Sequence, residues 1–141
     1  MGNQAMSATV DAFFYGLYMD ETVLAGAGVV PRSPRKASAN GYALKIGKRA
    51  TLVQAPGSVA WGMVYALTPD DLAKLYGAPG LEVYQPQQIE VALENRAIIS
   101  ARVYNLAQLP AADERNPDYV EKLKAAMIRL GFPADYVARI A

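Results

Sequence analysis

Phe13-Phe14-Tyr15-Gly16-Leu17-Tyr18-Met19, followed at once by Asp20-Glu21, is the stretch from which the fold is read. Three aromatics run into a glycine, and the polarity then reverses. Phe and Tyr favour strands, and Gly16 permits a backbone conformation closed to other residues, so a first strand ending in a tight loop is predicted. Asp20 is placed to cap a short helix through Val23-Leu24. Strand, glycine loop and helix start together bring backbone N–H groups to a point where a small anion can sit. A buried first strand with a plain glycine turn is the other reading of the same seven residues.

Downstream, Leu24-Ala25-Gly26-Ala27-Gly28-Val29-Val30-Pro31 begins like a dinucleotide-binding fingerprint, but Pro31 and Pro34 block the helix that should follow, and the match is discarded. Arg32, Arg35 and Lys36, set among Pro31, Ser33 and Pro34, read as a solvated loop. Tyr42–Ile46 and Ala50–Val53 flank Gly47-Lys48 as a hairpin, and Ala55-Pro56-Gly57-Ser58 reads as a turn. From Val59 to Leu67, large residues (Val59, Trp61, Met63, Tyr65, Leu67) alternate with small ones (Ala60, Gly62, Val64, Ala66). That pattern predicts a strand covered on both faces, with something packed close against Gly62.

Thr68-Pro69-Asp70-Asp71 announces a helix whose apolar side is Leu72 and Leu75-Tyr76, ended by Gly77, Pro79 and Gly80. A strand pair, Ile89–Leu93 and Ile98–Tyr104, joins at Glu94-Asn95-Arg96. Asn116-Pro117-Asp118 then starts a second helix, with Tyr119, Leu123, Met127 and Leu130 at helical spacing and Gly131 and Pro133 as its stop. Val137 and Ile140 are expected to dock a final half-helix. Short strands joined by hairpins, without regular strand–helix alternation, predict an α+β fold: a small mixed, barrel-like β-sheet with a few short helices.

The 141 residues, 52% of them hydrophobic, suit one domain over residues 12–141 behind a flexible leader at 1–11. The absence of cysteine and histidine removes thiol chemistry, Ser-His-Asp catalysis and the usual zinc sites, so no metal and no cofactor are expected. Fourteen basic against thirteen acidic residues, net +1, argue against a nucleic-acid or anionic-membrane partner. No apolar run approaches the roughly 20 residues of a membrane span. Residues 1–6 match neither a myristoylation nor a secretion signal, so a soluble cytoplasmic protein is expected. Exposed edges of a small sheet make a homodimer a further expectation.

The order of these pieces resembles the gamma-glutamylcyclotransferase-like family. The resemblance is carried by Phe14-Tyr15-Gly16, Gly62-Met63-Val64-Tyr65, the leucines from Leu72 to Leu75, Tyr84 ahead of Ile89-Glu90-Val91, Ala101-Arg102-Val103-Tyr104, and Gly131-Phe132-Pro133-Ala134-Asp135-Tyr136. It implies a pocket for a small γ-glutamyl or amino-acid-derived ligand. It also implies a cyclisation in which the ligand's amine attacks its own side-chain carbonyl, releasing an amine and 5-oxoproline. That chemistry needs a base and N–H donors for the developing oxyanion. In the family the Tyr-Gly loop supplies the donors, and the base is a glutamate in a Leu-Asp-x-x-Glu-Gly pattern. Laid on Leu75-Tyr76-Gly77-Ala78-Pro79-Gly80, that glutamate falls on Pro79, which cannot transfer a proton.

Three readings follow: a ligand-binding relative with cyclotransferase activity lost or altered, a possible pseudoenzyme; an active enzyme using Glu82, with Asp20 or Glu21 as remoter candidates; or a non-catalytic partner-binding domain. The first is preferred. Its expected binding residues are Tyr15, Gly16, Leu17, Tyr18, Tyr84 and Tyr104. Tyr15 and Tyr65 also read as core tyrosines.

Overall fold

The computed structural model describes residues 8–141. Most of the leader expected over 1–11 therefore lies outside the described residues, and the first strand, β1 (Val10–Phe14), already takes in its last two positions. β1 leads through Tyr15-Gly16 into a 3₁₀ turn, Leu17–Met19, and a short helix α1 (Glu21–Gly26). Asp20 caps α1 as expected, its carboxylate accepting from Thr22 N–H at 2.9 Å.

Two long strands follow, β2 (Arg32–Ile46) and β3 (Ala50–Leu67), and then helix α2 (Pro69–Tyr76). The Thr68 side chain caps α2 at Asp71 N–H, 3.1 Å, with Pro69 in the first turn. Strands β4 (Tyr84–Leu93) and β5 (Ile98–Leu106) form the second hairpin. Helix α3 (Pro117–Leu130) is capped by Asn116 and closed by left-handed Gly131, and α4 (Ala134–Ala138) follows it. No helix of the described residues is long and apolar enough to cross a membrane.

The strands close into a barrel in the order β1-β3-β2-β4-β5, antiparallel except where β5 meets β1. This is the mixed, barrel-like α+β architecture expected. Two seams of the barrel are short: β1 and β5 meet at one residue pair, Ala12↔Arg102, and β2 and β4 at two, Ala37↔Leu93 and Ser38↔Ala92.

Two local expectations are corrected. Ala55-Pro56-Gly57-Ser58 does not end a strand: β3 runs through it, and residues 55–58 bulge opposite Gly41 alone, between the pairs Asn40↔Val59 and Tyr42↔Gln54. Gly57 and Gly41 both have positive φ, +87° and +84°, which is the left-handed backbone such an irregularity needs. The Arg32–Lys36 segment is not a loop but the start of β2. Arg35 pairs with Asp11 across the sheet at 2.8 Å, and Lys36 reaches the Gly131 carbonyl.

Alternation along the strands makes two cores. Phe13 and Tyr15 face the barrel interior with Ala37, Ala39, Ala60, Val64, Val91, Ala101 and Val103. A five-stranded barrel is narrow, so alanines on three strands leave the room that the rings of Phe13 and Tyr15 fill. A side chain on Gly62 would strike the Phe14 carbonyl and the Phe13 ring, which accounts for the glycine on the small face of β3. The opposite face carries Ala12, Phe14, Met63, Tyr65 and Leu67 under the helices, against Leu72, Leu75, Leu123, Met127, Tyr136, Val137 and Ile140.

Candidate functional site

At the end of β1 a cavity of about 270 Å³ opens between the 3₁₀ turn, the β2–β3 turn, the C-terminus of α2, the start of β4 and the first turn of α3. Its volume sits just below the usual range for ligand pockets, about 300–1,000 Å³, and suits a ligand of amino-acid size. Tyr15, Gly16, Leu17, Tyr18 and Tyr84 line it together, as do Tyr76, Tyr119, Lys48 and Arg49.

The fit of the loop is set by α3. The Leu17 N–H donates to Tyr119 Oη at 3.2 Å, and a Cβ on Gly16 would overlap that same oxygen. Gly16 has φ −114°, a backbone any residue adopts, so the conformational reason expected for this glycine is replaced by a spatial one. The loop is pinned from below by Tyr65, whose hydroxyl donates to the Met19 carbonyl at 2.6 Å. Tyr65 itself is fully buried, a core residue.

The tyrosine hydroxyls divide by where their protons go. Tyr15 donates to the Tyr104 carbonyl at 2.6 Å, Tyr84 to the Ala50 carbonyl at 2.7 Å, and Tyr18 to the Leu75 carbonyl at 3.4 Å. Tyr76 and Tyr119 donate to no described residue. Tyr76 is the centre of the aromatic wall. Its ring stacks on Tyr104 with centroids 3.8 Å apart and meets Tyr18 and Tyr84 edge-on at 5.8 and 5.9 Å.

Burial pushes the hydroxyls of Tyr15 and Tyr76 well above the ordinary phenol value, and those of Tyr18, Tyr84 and Tyr119 upward too. For Tyr119 the Leu17 N–H partly offsets that rise. All five stay protonated at neutral pH. Lys48 and Arg49, exposed at the rim, supply the positive charge. Among the described residues no aspartate or glutamate lines this cavity.

Two expected site residues stand elsewhere. Tyr104 does not line the cavity but backs Tyr76. Glu82 is exposed and lines a separate polar hollow of about 410 Å³, with Gln85 and Glu114, which shares Lys48 and Arg49 with the tyrosine cavity. Pro79 is exposed and lines neither. Asp20 is committed to its cap and to Arg129, and Glu21 is exposed in the first turn of α1.

Tyr76 and Tyr119, expected on helix faces, and Lys48, expected in a turn, are cavity residues, as is Arg49, for which the sequence suggests no role. Tyr76 ends a helix just ahead of Gly77, a position from which a side chain leaves the apolar face. Nothing local marks Tyr119, because its partner lies 102 residues away.

A search of curated proteins finds no match. The gamma-glutamyl cyclotransferase, AIG2-like family matches residues 12–123. A solved structure described as gamma-glutamyl cyclotransferase superposes with a TM-score of 0.80 at 20% identity, over 94% of this chain and 86% of that one. An uncharacterized protein from Homo sapiens gives 0.78 at 20% identity, over 95% and 87%. YkqA from Bacillus subtilis gives 0.80 at 19% identity, over 98% of this chain and 55% of its own. At these identities the likeness to the solved structures is one of fold.

Proposed function

This chain belongs to the AIG2-like gamma-glutamyl cyclotransferase family, and from that premise we propose that its tyrosine cavity binds a small γ-glutamyl or amino-acid-derived ligand without cyclising it. The observation that carries the reading is the composition of the wall: protonated tyrosines and two cations, with no carboxylate among its described residues. A ligand carboxylate finds Lys48 and Arg49 at the rim. Its amine meets phenolic oxygens whose own protons are committed to carbonyls, those of Tyr15, Tyr18 and Tyr84. What is lacking is a group to take the ammonium proton at neutral pH and return it to a leaving nitrogen.

The family glutamate is better placed on Tyr76 than on Pro79. The Leu-Asp-x-x-Glu-Gly pattern is met three residues earlier, at Leu72-Ala73-Lys74-Leu75-Tyr76-Gly77, with both its leucine and its glycine in place. Tyr76 lines the cavity and Pro79 does not, which supports this register. A phenol whose pKa is raised by burial is a hydrogen-bond donor there, not a base.

Incubation with a panel of γ-glutamyl-amino acids and γ-glutamyl-amines, followed by assay for 5-oxoproline, tests the reading. No product above the uncatalysed rate is expected. Product formation would overturn it. Product abolished by Glu82→Gln would then assign the chemistry to the neighbouring polar hollow, and product unchanged in that variant would exclude Glu82.

A further inference from the structure

We propose that Tyr119 is the ligand-facing donor of this cavity: its hydroxyl takes the Leu17 N–H and passes the loop's hydrogen-bonding capacity on to an oxygen acceptor of the ligand. The inference rests on the reading of the cavity as a ligand site and adds a residue, and a direction of hydrogen bonding, that the loop alone does not supply.

The Tyr119 hydroxyl occupies the position a side chain at residue 16 would fill, so the backbone of the loop is covered at that point. Leu17 N–H, the donor a ligand carboxylate or carbonyl would otherwise meet, already ends on Tyr119 Oη at 3.2 Å. A phenol oxygen that accepts one hydrogen bond still has its own proton to give, and accepting makes that proton a better donor. No described residue accepts it, and Tyr119 lines the cavity. The proton therefore has the cavity as its outlet.

The site then offers a ligand a hydroxyl donor standing one side chain farther out than a bare glycine loop. A ligand seated against it must end in an oxygen acceptor, and the hydroxyl shortens the pocket at the loop end. Tyr76 lines the same cavity and its proton too has no described acceptor, so an oxygen acceptor such as a carboxylate or an amide carbonyl is the group the cavity favours.

The test is calorimetric titration of γ-L-glutamylglycine into the wild-type chain and into Tyr119→Phe, with circular dichroism and thermal melting as fold checks. Removal of the hydroxyl keeps the ring in place and is expected to weaken binding about tenfold or more, the worth of one hydrogen bond to a charged acceptor. Incorporation of 3-fluorotyrosine at position 119, nearly isosteric and a stronger donor, is expected to tighten binding. It keeps the inference testable if Tyr119→Phe does not fold, and a purely structural role would leave affinity unmoved. Equal or tighter binding by folded Tyr119→Phe, as a plug would give, overturns the inference while leaving the ligand site standing. So does weaker or unchanged binding by the fluorotyrosine protein. Absence of binding by the wild-type chain overturns the reading of the cavity and this inference with it.

Discussion

Tyr65 on β3 and Tyr76 at the end of α2 are the same residue type, yet they are used in opposite ways. Tyr65 points its hydroxyl into the outer core, where it donates to the Met19 carbonyl and fixes the 3₁₀ turn. Tyr76 leaves the end of α2, stacks on Tyr104 and turns to a cavity where its proton has no described acceptor. The difference is one of commitment. A buried phenol whose proton is spent inside the protein holds the fold together, and one whose proton is unspent is available to something else. Tyr15, Tyr18 and Tyr84 in the same wall spend their protons on carbonyls, as Tyr65 does, so within the cavity the contrast belongs to Tyr76 and Tyr119.

Substitutions that separate ring from hydroxyl sharpen the contrast. Tyr65→Ala carries the largest expected effect, a loss of about 3–5 kcal/mol in urea unfolding, because it opens a large void in the outer core and frees the 3₁₀ turn. A loss under about 1 kcal/mol would mean the turn is not held from below. Tyr65→Phe removes only the hydroxyl and strands the Met19 carbonyl, so a loss of about 1–3 kcal/mol is expected from the same measurement. Tyr76→Phe is expected to change stability by no more than about 0.5 kcal/mol, since no internal bond is broken. A loss as large as that of Tyr65→Phe would erase the distinction between the two tyrosines.

The pH dependence of stability sharpens it further. The hydroxyls of Tyr15, Tyr65, Tyr76, Tyr84 and Tyr119 all have folded-state pKa values raised, chiefly by burial, above the unfolded value of about 10. The unfolded chain therefore ionises first. The stability they contribute is intact below pH about 10 and is lost as the pH rises through their folded values. The urea midpoint is expected to show no tyrosine-linked loss between pH 7 and 9 and to fall steeply above 10. A fall that accompanies phenolate absorbance in the native protein below pH 9 would show that the cavity tyrosines are not buried as described.

Much of the fold was legible because its signals are local. The caps at Asp20, Thr68 and Asn116, the alternation from Val59 to Leu67 and the turn at Glu94-Asn95-Arg96 each rest on neighbours in sequence. The stretch at Ala55–Ser58 misled because proline and glycine punctuate a bulge as they punctuate a turn, and only the pairing partner at Gly41 separates the two. The start of β2 was hidden for a related reason. Arg35 and Lys36 find their partners, Asp11 and Gly131, on other elements.

The loop half of the site was legible through Tyr15-Gly16-Leu17-Tyr18. The opposite wall was not, because a tyrosine at a helix-periodic position reads as core whether or not its hydroxyl is spent there. Glu82 looked near because it follows α2 closely in sequence, but the chain turns it into the next hollow. At Gly16 the sequence suggests a conformational need, whereas in the structure the position is small because the Tyr119 hydroxyl takes the room.

The claim that this cavity holds a γ-glutamyl ligand and leaves it intact is tested most directly by one nuclear magnetic resonance titration of the wild-type chain with γ-L-glutamylglycine at neutral pH. Saturable amide shifts concentrated at Leu17, Tyr18, Arg49 and Tyr76 are expected, with the ligand's own signals unchanged over hours. Growth of 5-oxoproline signals in the tube, or shifts confined to Glu82–Gln85 and the polar hollow, would contradict the account.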